Sequence, residues 1–90
     1  MPGDADPPRG AYEQARRCIE ILDMALTEAG ASLDDVVRTR IYVTDAALVD
    51  AVARAHRDAF GKARPATTGI VAQLLDSRWL VEIEVEAYVG

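Results

Sequence analysis

Alternating carboxylates near the end of the chain are the residues with the clearest capacity for chemistry: Glu82, Glu84 and Glu86. A positioned carboxylate can act as a general acid or base. Because side chains two residues apart on a strand share a face, these three are expected to stand in one row. Arg38 and Arg40 have the same spacing upstream, and each opposite-charge pair on adjacent strands contributes roughly 0.2–1 kcal/mol. The two runs therefore predict neighbouring strands with matched charges.

Two interpretations of this charged face remain open. It could be a solvated polar face balanced by salt bridges. Alternatively, it could be partly buried between subunits, leaving one carboxylate to line a pocket. Leu80 and Tyr88 flank the acids on the same face, and apolar neighbours are the argument for partial burial.

The other reactive residue types are sparse. His56 is the single histidine and Cys18 the single cysteine; we interpret them as a packed or surface helix residue and a small core residue. A zinc site would need further ligands at suitable spacing, so we expect no metal. Phosphate-binding glycine loops and a Gly-x-Ser-x-Gly elbow are both absent from the sequence, so we also expect no cofactor and no hydrolytic triad.

Composition excludes several classes of partner. The formal net charge is −5, and the longest basic cluster is the pair Arg16-Arg17, whereas nucleic-acid binding needs a clustered basic surface. No apolar run approaches a membrane span, and the N-terminus is polar and proline-rich, so neither a membrane segment nor a signal peptide is expected. The lone thiol suggests a cytoplasmic location. A chain of 90 residues accommodates one domain of modest stability, for which oligomerisation is a common remedy.

The elements that must position these residues follow from periodicity. We interpret residues 1–12 as a flexible Pro/Gly-rich leader and 13–90 as one domain. A helix is predicted from about Glu13, with Gly30 as its stop, because apolar residues recur at spacings of three and four: Ala15, Cys18, Ile19, Leu22, Leu26 and Ala29.

A strand over 36–43 should place Val37, Thr39, Ile41 and Val43 on one face and Arg38, Arg40 and Tyr42 on the other. Thr44 or Asp45 can cap a second helix that Gly61 ends. Its inner face comprises Leu48, Val52, Ala55 and Ala59, with Phe60 beside them.

Two further strands are expected, over 67–74 and 79–89. In the second, the alternation should turn Trp79, Val81, Ile83, Val85, Ala87 and Val89 inward. The first strand and second helix can form a crossover unit, and the last two strands are close enough in sequence for an antiparallel hairpin. The predicted fold is α+β with the order α-β-α-β-β, in which two helices pack on one face of a small mixed sheet.

Three stretches in this order resemble the Rid family, the YjgF-type reactive-intermediate deaminases. They cover about residues 13–88 and comprise Gln14-Ala15-Arg16 with the turn 28–37 (EAGASLDDVV), the strand 38–45 (RTRIYVTD), and 64–68 (RPATT) followed by 80–84 (LVEIE). The resemblance implies a chorismate-mutase-like fold and a homotrimer with small-molecule clefts between subunits.

The resemblance also assigns candidate site residues, with one departure from the family. Deaminase members carry an arginine directly after the Pro-Ala pair, which binds the carboxylate of an imino acid. Here that position is Thr67, with Thr68 and Gly69 as further cleft positions. Glu82 matches the glutamate thought to orient or activate water. A bidentate guanidinium suits a carboxylate in a way that a neutral hydroxyl does not.

A second departure concerns the start of the chain. Family members normally have a β-hairpin before the first helix, and about ten proline-rich residues stand in its place. We expect either a truncated start or a short natural form. The expected function is metabolite binding without efficient 2-imino acid deamination. The alternatives are an active deaminase or hydrolase that uses Glu82 on a less carboxylate-dependent substrate, or a structural or regulatory protein without a ligand.

Overall fold

The computed structural model describes residues 7–89; residues 1–6, which form half of the predicted leader, lie outside the described part. Two helices, α1 (Ala11–Glu28) and α2 (Val49–Phe60), accompany three strands, β1 (Val36–Val43), β2 (Ala66–Val71) and β3 (Val81–Ala87). Short 3₁₀ turns, Leu33–Asp35 and Ala46–Leu48, precede β1 and α2. The predicted order α-β-α-β-β and the α+β class are confirmed.

Helix α1 buries the first half of the predicted apolar stripe, with Ala15 and Cys18 fully buried, and Leu22 and Leu26 are partly buried. The prediction for Ala29 is wrong, because this residue is exposed and follows the last helical residue, Glu28.

Helix α1 begins at Ala11, two residues before the periodic pattern becomes visible, and Ala11 itself is buried. Gly30 adopts φ +84° just after the helix end, a conformation that costs glycine little. The predicted stop is therefore confirmed.

Helix α2 also packs its predicted inner face into the core. Asp45 is the residue that caps the preceding turn, accepting a 2.8 Å hydrogen bond from the Ala47 amide. The helix ends at Phe60, and Gly61 remains right-handed with φ −56°. The residue with a left-handed backbone conformation in this connection is Arg64, with φ 51°. The chain therefore leaves the right-handed conformation three residues after Gly61, which was the predicted end of the helix.

The sheet has the strand order β2-β1-β3. Strands β1 and β2 are parallel, as the predicted crossover requires, whereas β1 and β3 are antiparallel. The expected β2–β3 hairpin is therefore wrong, since β1 lies between these strands. Because the crossover through α2 places β2 on one side of β1, the charged strand β3 is left to pair on the other. The connection 72–80 only has to pass β1, about 10 Å at normal strand spacing.

Opposite charges meet in register on the outer face of the sheet, as the two charged runs predicted. Arg38 pairs with Glu86 and Arg40 with Glu84 across the β1–β3 ladder, and Tyr42 stands opposite Glu82. In the part of the chain that the structure describes, none of these pairs closes to an ion pair within 4.0 Å. The strand register thus aligns the arginines with the glutamates, but their side chains remain partly exposed and separate.

The core lies between the helices and the inner face of the sheet, where Val52, Phe60, Val81 and Ile83 are each at most 2% exposed. The prediction for Val37 is wrong, because that side chain is 53% exposed and Val36 is buried in its place. A β-bulge between Val36 and Arg38 causes the exchange, since one extra residue on a strand reverses the alternation beyond it.

The two edge strands are covered to different degrees. Trp79, Val81 and Ile83 are buried as predicted, whereas the prediction for Ala87 and Val89 is wrong, because both residues are exposed. All six residues of β2 are exposed, including the apolar Ile70 and Val71. The β2 edge is thus the least covered part of the sheet.

Candidate functional site

Three polar side chains meet on the inner side of the sheet and form what we call the histidine cluster: Thr39, His56 and Thr67. The Thr39 hydroxyl lies 2.9 Å from His56 Nε2 and 2.9 Å from the Thr67 hydroxyl. Thr67 Oγ1 also lies 3.5 Å from His56 Nε2 and 3.2 Å from the Pro65 carbonyl oxygen. Each member comes from a different element, so only the folded chain assembles the cluster.

Strand register and helix packing produce this geometry. Thr39 and Thr67 are direct partners in the parallel β1–β2 ladder, so their side chains project from the same face. His56 reaches them from α2, and its ring is tilted against Phe60 with the centroids 4.8 Å apart. Thr39 is fully buried, so its hydroxyl must find partners within the protein, and it does.

Burial sets the electrostatic state of the cluster. Desolvation lowers the pKa of the His56 imidazole below its ordinary value of 6.5, because removing water disfavours the charged form. The neutral form of the imidazole is therefore favoured, and neither of the other two members of the cluster carries a charge.

An apolar groove begins at the cluster and runs between β2 and the start of α2. This β2 groove has a volume of about 340 Å³ and is lined by Ile41, Val43, Val49, Val52, Ala53, Thr67, Gly69, Ile70 and Val71. The hydroxyl of Thr67 is the polar side-chain group of this lining. A Cβ atom added at Gly69 would meet nothing within 4 Å, so the groove is open above that residue.

The structure separates the residues that sequence analysis assigned to one site. Thr67 and Gly69 line the β2 groove. Thr68 points to the opposite face, where its hydroxyl accepts a 3.4 Å hydrogen bond from Arg38. Glu82 is exposed on that outer face too, but on β3, with β1 between it and β2. Within one chain, therefore, Glu82 and Thr67 do not form a common site.

Sequence reasoning missed the joint role of Thr39 and His56. Our interpretation of His56 as a packed or surface residue accounts for its half-burial but not for its hydrogen bonds. The available signal was the placement of both residues on inward faces: Thr39 stands between apolar positions of β1, and His56 lies four residues after the buried Val52. A polar residue inside an apolar stripe needs an internal partner.

No group of three or more His, Cys, Asp or Glu side chains in residues 7–89 is arranged to hold a metal ion. Neither described helix is long and apolar enough to cross a membrane.

Comparisons with known proteins place this architecture in a family. A family model described as endoribonuclease L-PSP matches residues 3–89. An uncharacterized protein of Streptomyces coelicolor is 43% identical over 89 residues, which cover 98% of this chain and 63% of that protein. A RutC family protein of Pyrococcus abyssi is 36% identical over 76 residues, covering 84% of this chain and 60% of the relative.

A solved structure agrees in both sequence and geometry. Rv2704 of Mycobacterium tuberculosis, described as a member of the YjgF/YER057c/UK114 family, superposes with a TM-score of 0.90 at 44% identity, covering 93% of this chain and 72% of that one. The chain spans about three fifths of the length of the curated relatives it matches. The resemblance found in the sequence is confirmed: this chain belongs to the YjgF/YER057c/UK114 family.

Proposed function

We propose that this protein binds a small metabolite in clefts between the subunits of a homotrimer, and that it is not an efficient 2-imino acid deaminase. The observation that carries the proposal is Thr67. At the position where deaminase members have a carboxylate-binding arginine, the chain has a hydroxyl that already contacts Thr39, His56 and Pro65. A cleft of this kind retains an apolar wall without the cation that a carboxylate substrate needs.

The difference between the two side chains is large in binding terms. A guanidinium can hold a carboxylate through two charge-assisted hydrogen bonds, and hydrogen bonds to charged groups are worth about 1.5–3 kcal/mol each. One neutral hydroxyl supplies neither the charge nor the fork geometry. Without that anchor, an imino acid would not be held in position for attack by water.

Assembly into a trimer is supported by the exposed apolar surface around β2. Val71 is 59% exposed and Leu75 fully exposed, although both are large apolar side chains. A neighbouring subunit would remove this surface from water. Since Glu82 and the β2 groove lie on opposite faces of one sheet, a cleft that contains both requires two copies of the chain.

The activity test uses 2-imino acids generated in the cuvette by an amino-acid oxidase. We expect them to decay no faster with the protein than without it.

Thr67→Arg should restore weak binding of a small carboxylate such as 2-oxobutyrate, measured by calorimetry. Thr68→Arg is the matched control, because Thr68 is the next residue of the same strand and faces the other side.

Rapid imino-acid turnover by the unmodified chain would contradict the proposal. If that turnover were abolished by Glu82→Gln, the protein would instead be an active deaminase-like hydrolase that uses Glu82. If Glu82→Gln left it unchanged, the role assigned to this carboxylate would be wrong as well.

Light scattering tests the assembly. A mass of three chains at micromolar concentration is expected, and a monomer would remove the inter-subunit cleft from the proposal.

A further inference from the structure

The geometry points to the chemical class of the ligand: we propose that the β2 groove binds a small uncharged molecule with an apolar body and a hydrogen-bond donor, a hydroxyl or N–H, as its head group. This inference rests on the proposed function, because it specifies what that cleft binds. A ligand of this class is the opposite of the one implied for family members with the arginine, in which a cation donates hydrogen bonds to a carboxylate.

The body of the ligand follows from the walls of the groove. Eight of its nine lining residues are apolar side chains or glycine, and none carries a charge. Burying apolar ligand surface there is favourable by about 25 cal/mol for each Å². A charged group would lose its hydration without gaining an ionic partner, which is strongly unfavourable. The lining thus favours an uncharged molecule.

The head group of the ligand is inferred from the acceptor to which each hydroxyl proton is donated at the polar end of the groove. Each threonine hydroxyl has one proton to donate and two lone pairs to accept with. If His56 Nε2 carries hydrogen, it donates to Thr39, Thr39 donates to Thr67, and Thr67 donates to the Pro65 carbonyl, at 2.9, 2.9 and 3.2 Å. The Thr67 proton is then directed into the protein, and one of its lone pairs remains for the groove.

The other imidazole tautomer leads to the same result. If Nε2 carries no hydrogen, Thr39 donates to it, and Thr67 donates to Thr39 or to the Pro65 carbonyl. Both lone pairs of Thr67 can then face the groove. In either arrangement Thr67 presents an acceptor, so the complementary ligand group is a donor. A carboxylate could accept a hydrogen bond from Thr67 only if that hydroxyl gave up its bond to Thr39 or to the Pro65 carbonyl.

An isosteric set of probes tests this inference: pentan-1-ol, its isomer butyl methyl ether, and pentanoate. The three have similar size, but the ether lacks a donor and pentanoate is an anionic acceptor. Each is titrated into the 90-residue protein while the amide NMR signals of Gly69 and Ala53, which line the groove, are followed. We expect pentan-1-ol to bind about three- to tenfold more tightly than the ether, the factor expected of one net hydrogen bond, and pentanoate to bind most weakly.

Matched variants assign the preference to one hydroxyl. Thr67→Val keeps the shape of the side chain and removes its lone pairs, so the alcohol and the ether should then bind equally. Thr68→Val makes the same change on the opposite face and should leave the preference as it is in the unmodified protein. Retention of the preference in Thr67→Val would overturn the assignment.

The remaining outcomes separate this inference from the function on which it rests. Equal affinity for alcohol and ether in the unmodified protein, tighter binding of pentanoate, or no binding by any probe would each overturn the ligand class. None of these results changes imino-acid turnover or the mass in light scattering, which test the proposed function independently.

Discussion

Two polar clusters inside this small protein use their hydrogen bonds differently. At one side of the molecule, the Gln14 amide is only 1% exposed. Its Nε2 donates to the carbonyl oxygens of Pro8 at 2.7 Å and Arg78 at 3.0 Å, and its Oε1 accepts from the Leu80 amide at 2.6 Å. The histidine cluster at the other side ends at Thr67, an exposed residue that lines the β2 groove.

The contrast shows how to distinguish a structural polar residue from a candidate binding residue. Both N–H groups of the Gln14 side chain donate to backbone carbonyl oxygens. Its hydrogen bonds thereby connect helix α1 to two other segments, the stretch before α1 and the loop before β3. Gln14 borders an open pocket of about 460 Å³ between the stretch before α1 and the loop before β3, but both of its donors and its carbonyl oxygen already bond to the backbone. The histidine cluster satisfies its buried member, Thr39, and leaves acceptor capacity at its exposed member, Thr67.

The largest effect is expected from breaking the Gln14 cluster. Gln14→Leu keeps the size of the side chain but leaves two carbonyls and one amide without their partner. Since each unsatisfied buried group costs about 1–3 kcal/mol and some regain water, we expect the free energy of unfolding to fall by about 2–4 kcal/mol. Urea denaturation measures this loss. The control is Gln73→Leu, the same substitution at an exposed loop residue, and an equal loss in both variants would contradict the structural role of Gln14.

Removing the buried centre of the histidine cluster should have a smaller effect. Thr39→Val is close to isosteric and deletes a hydroxyl that contacts both His56 and Thr67. We expect the free energy of unfolding to fall by about 1–2 kcal/mol, because both partners retain some access to water. Thr44→Val, at an exposed threonine directly after β1, should change stability by less than about 0.5 kcal/mol. Comparable effects at the two positions would show that the cluster adds no stability.

A weaker effect should appear in the pH dependence of stability. Burial lowers the pKa of His56 in the folded state below the ordinary value of 6.5. As the pH falls through 6.5, the unfolded state therefore takes up its proton first, and the folded state loses relative stability. Denaturation midpoints between pH 8 and 5.5 should decrease toward acid. In His56→Gln the decrease should be smaller, and an identical decrease would assign the effect to other groups.

The smallest effect is expected on the outer face, far from both clusters. A double-mutant cycle on Arg40→Gln and Glu84→Gln should give a coupling energy of about 0.2–1 kcal/mol, the range of cross-strand charge pairs. The coupling should decrease at high salt, since exposed charges are screened. Hydrogen bonding to the Glu84 carboxylate also raises the pKa of the Tyr42 phenol above 10.0, so Glu84→Gln should lower that pKa in an absorbance titration.

The sequence by itself determined the elements and most of their faces. Periodicity of three and four located α1 and α2, and alternation located β1 with its observed bounds, Val36–Val43. Charges at spacing two on two strands were enough to pair β1 with β3. These features depend on residues close in sequence, or on a simple match of charge, so local rules describe them.

Only the tertiary structure decided which elements meet, and this decided the site. The bulge that buries Val36 and exposes Val37 depends on how β1 and β3 pair. Alternation along the strands puts Thr67 on the inner face and Glu82 on the outer face, and β1 separates their strands, so an inter-subunit cleft of the kind the resemblance implied can contain both only if two copies of the chain form it. Likewise, the histidine cluster forms only in the folded chain. Parallel pairing of β1 and β2 aligns Thr39 with Thr67, and the packing of α2 on the sheet brings the His56 imidazole into contact with them. Hydrogen bonds act over about 3 Å, so their partners depend on the packing of elements that are distant in the chain.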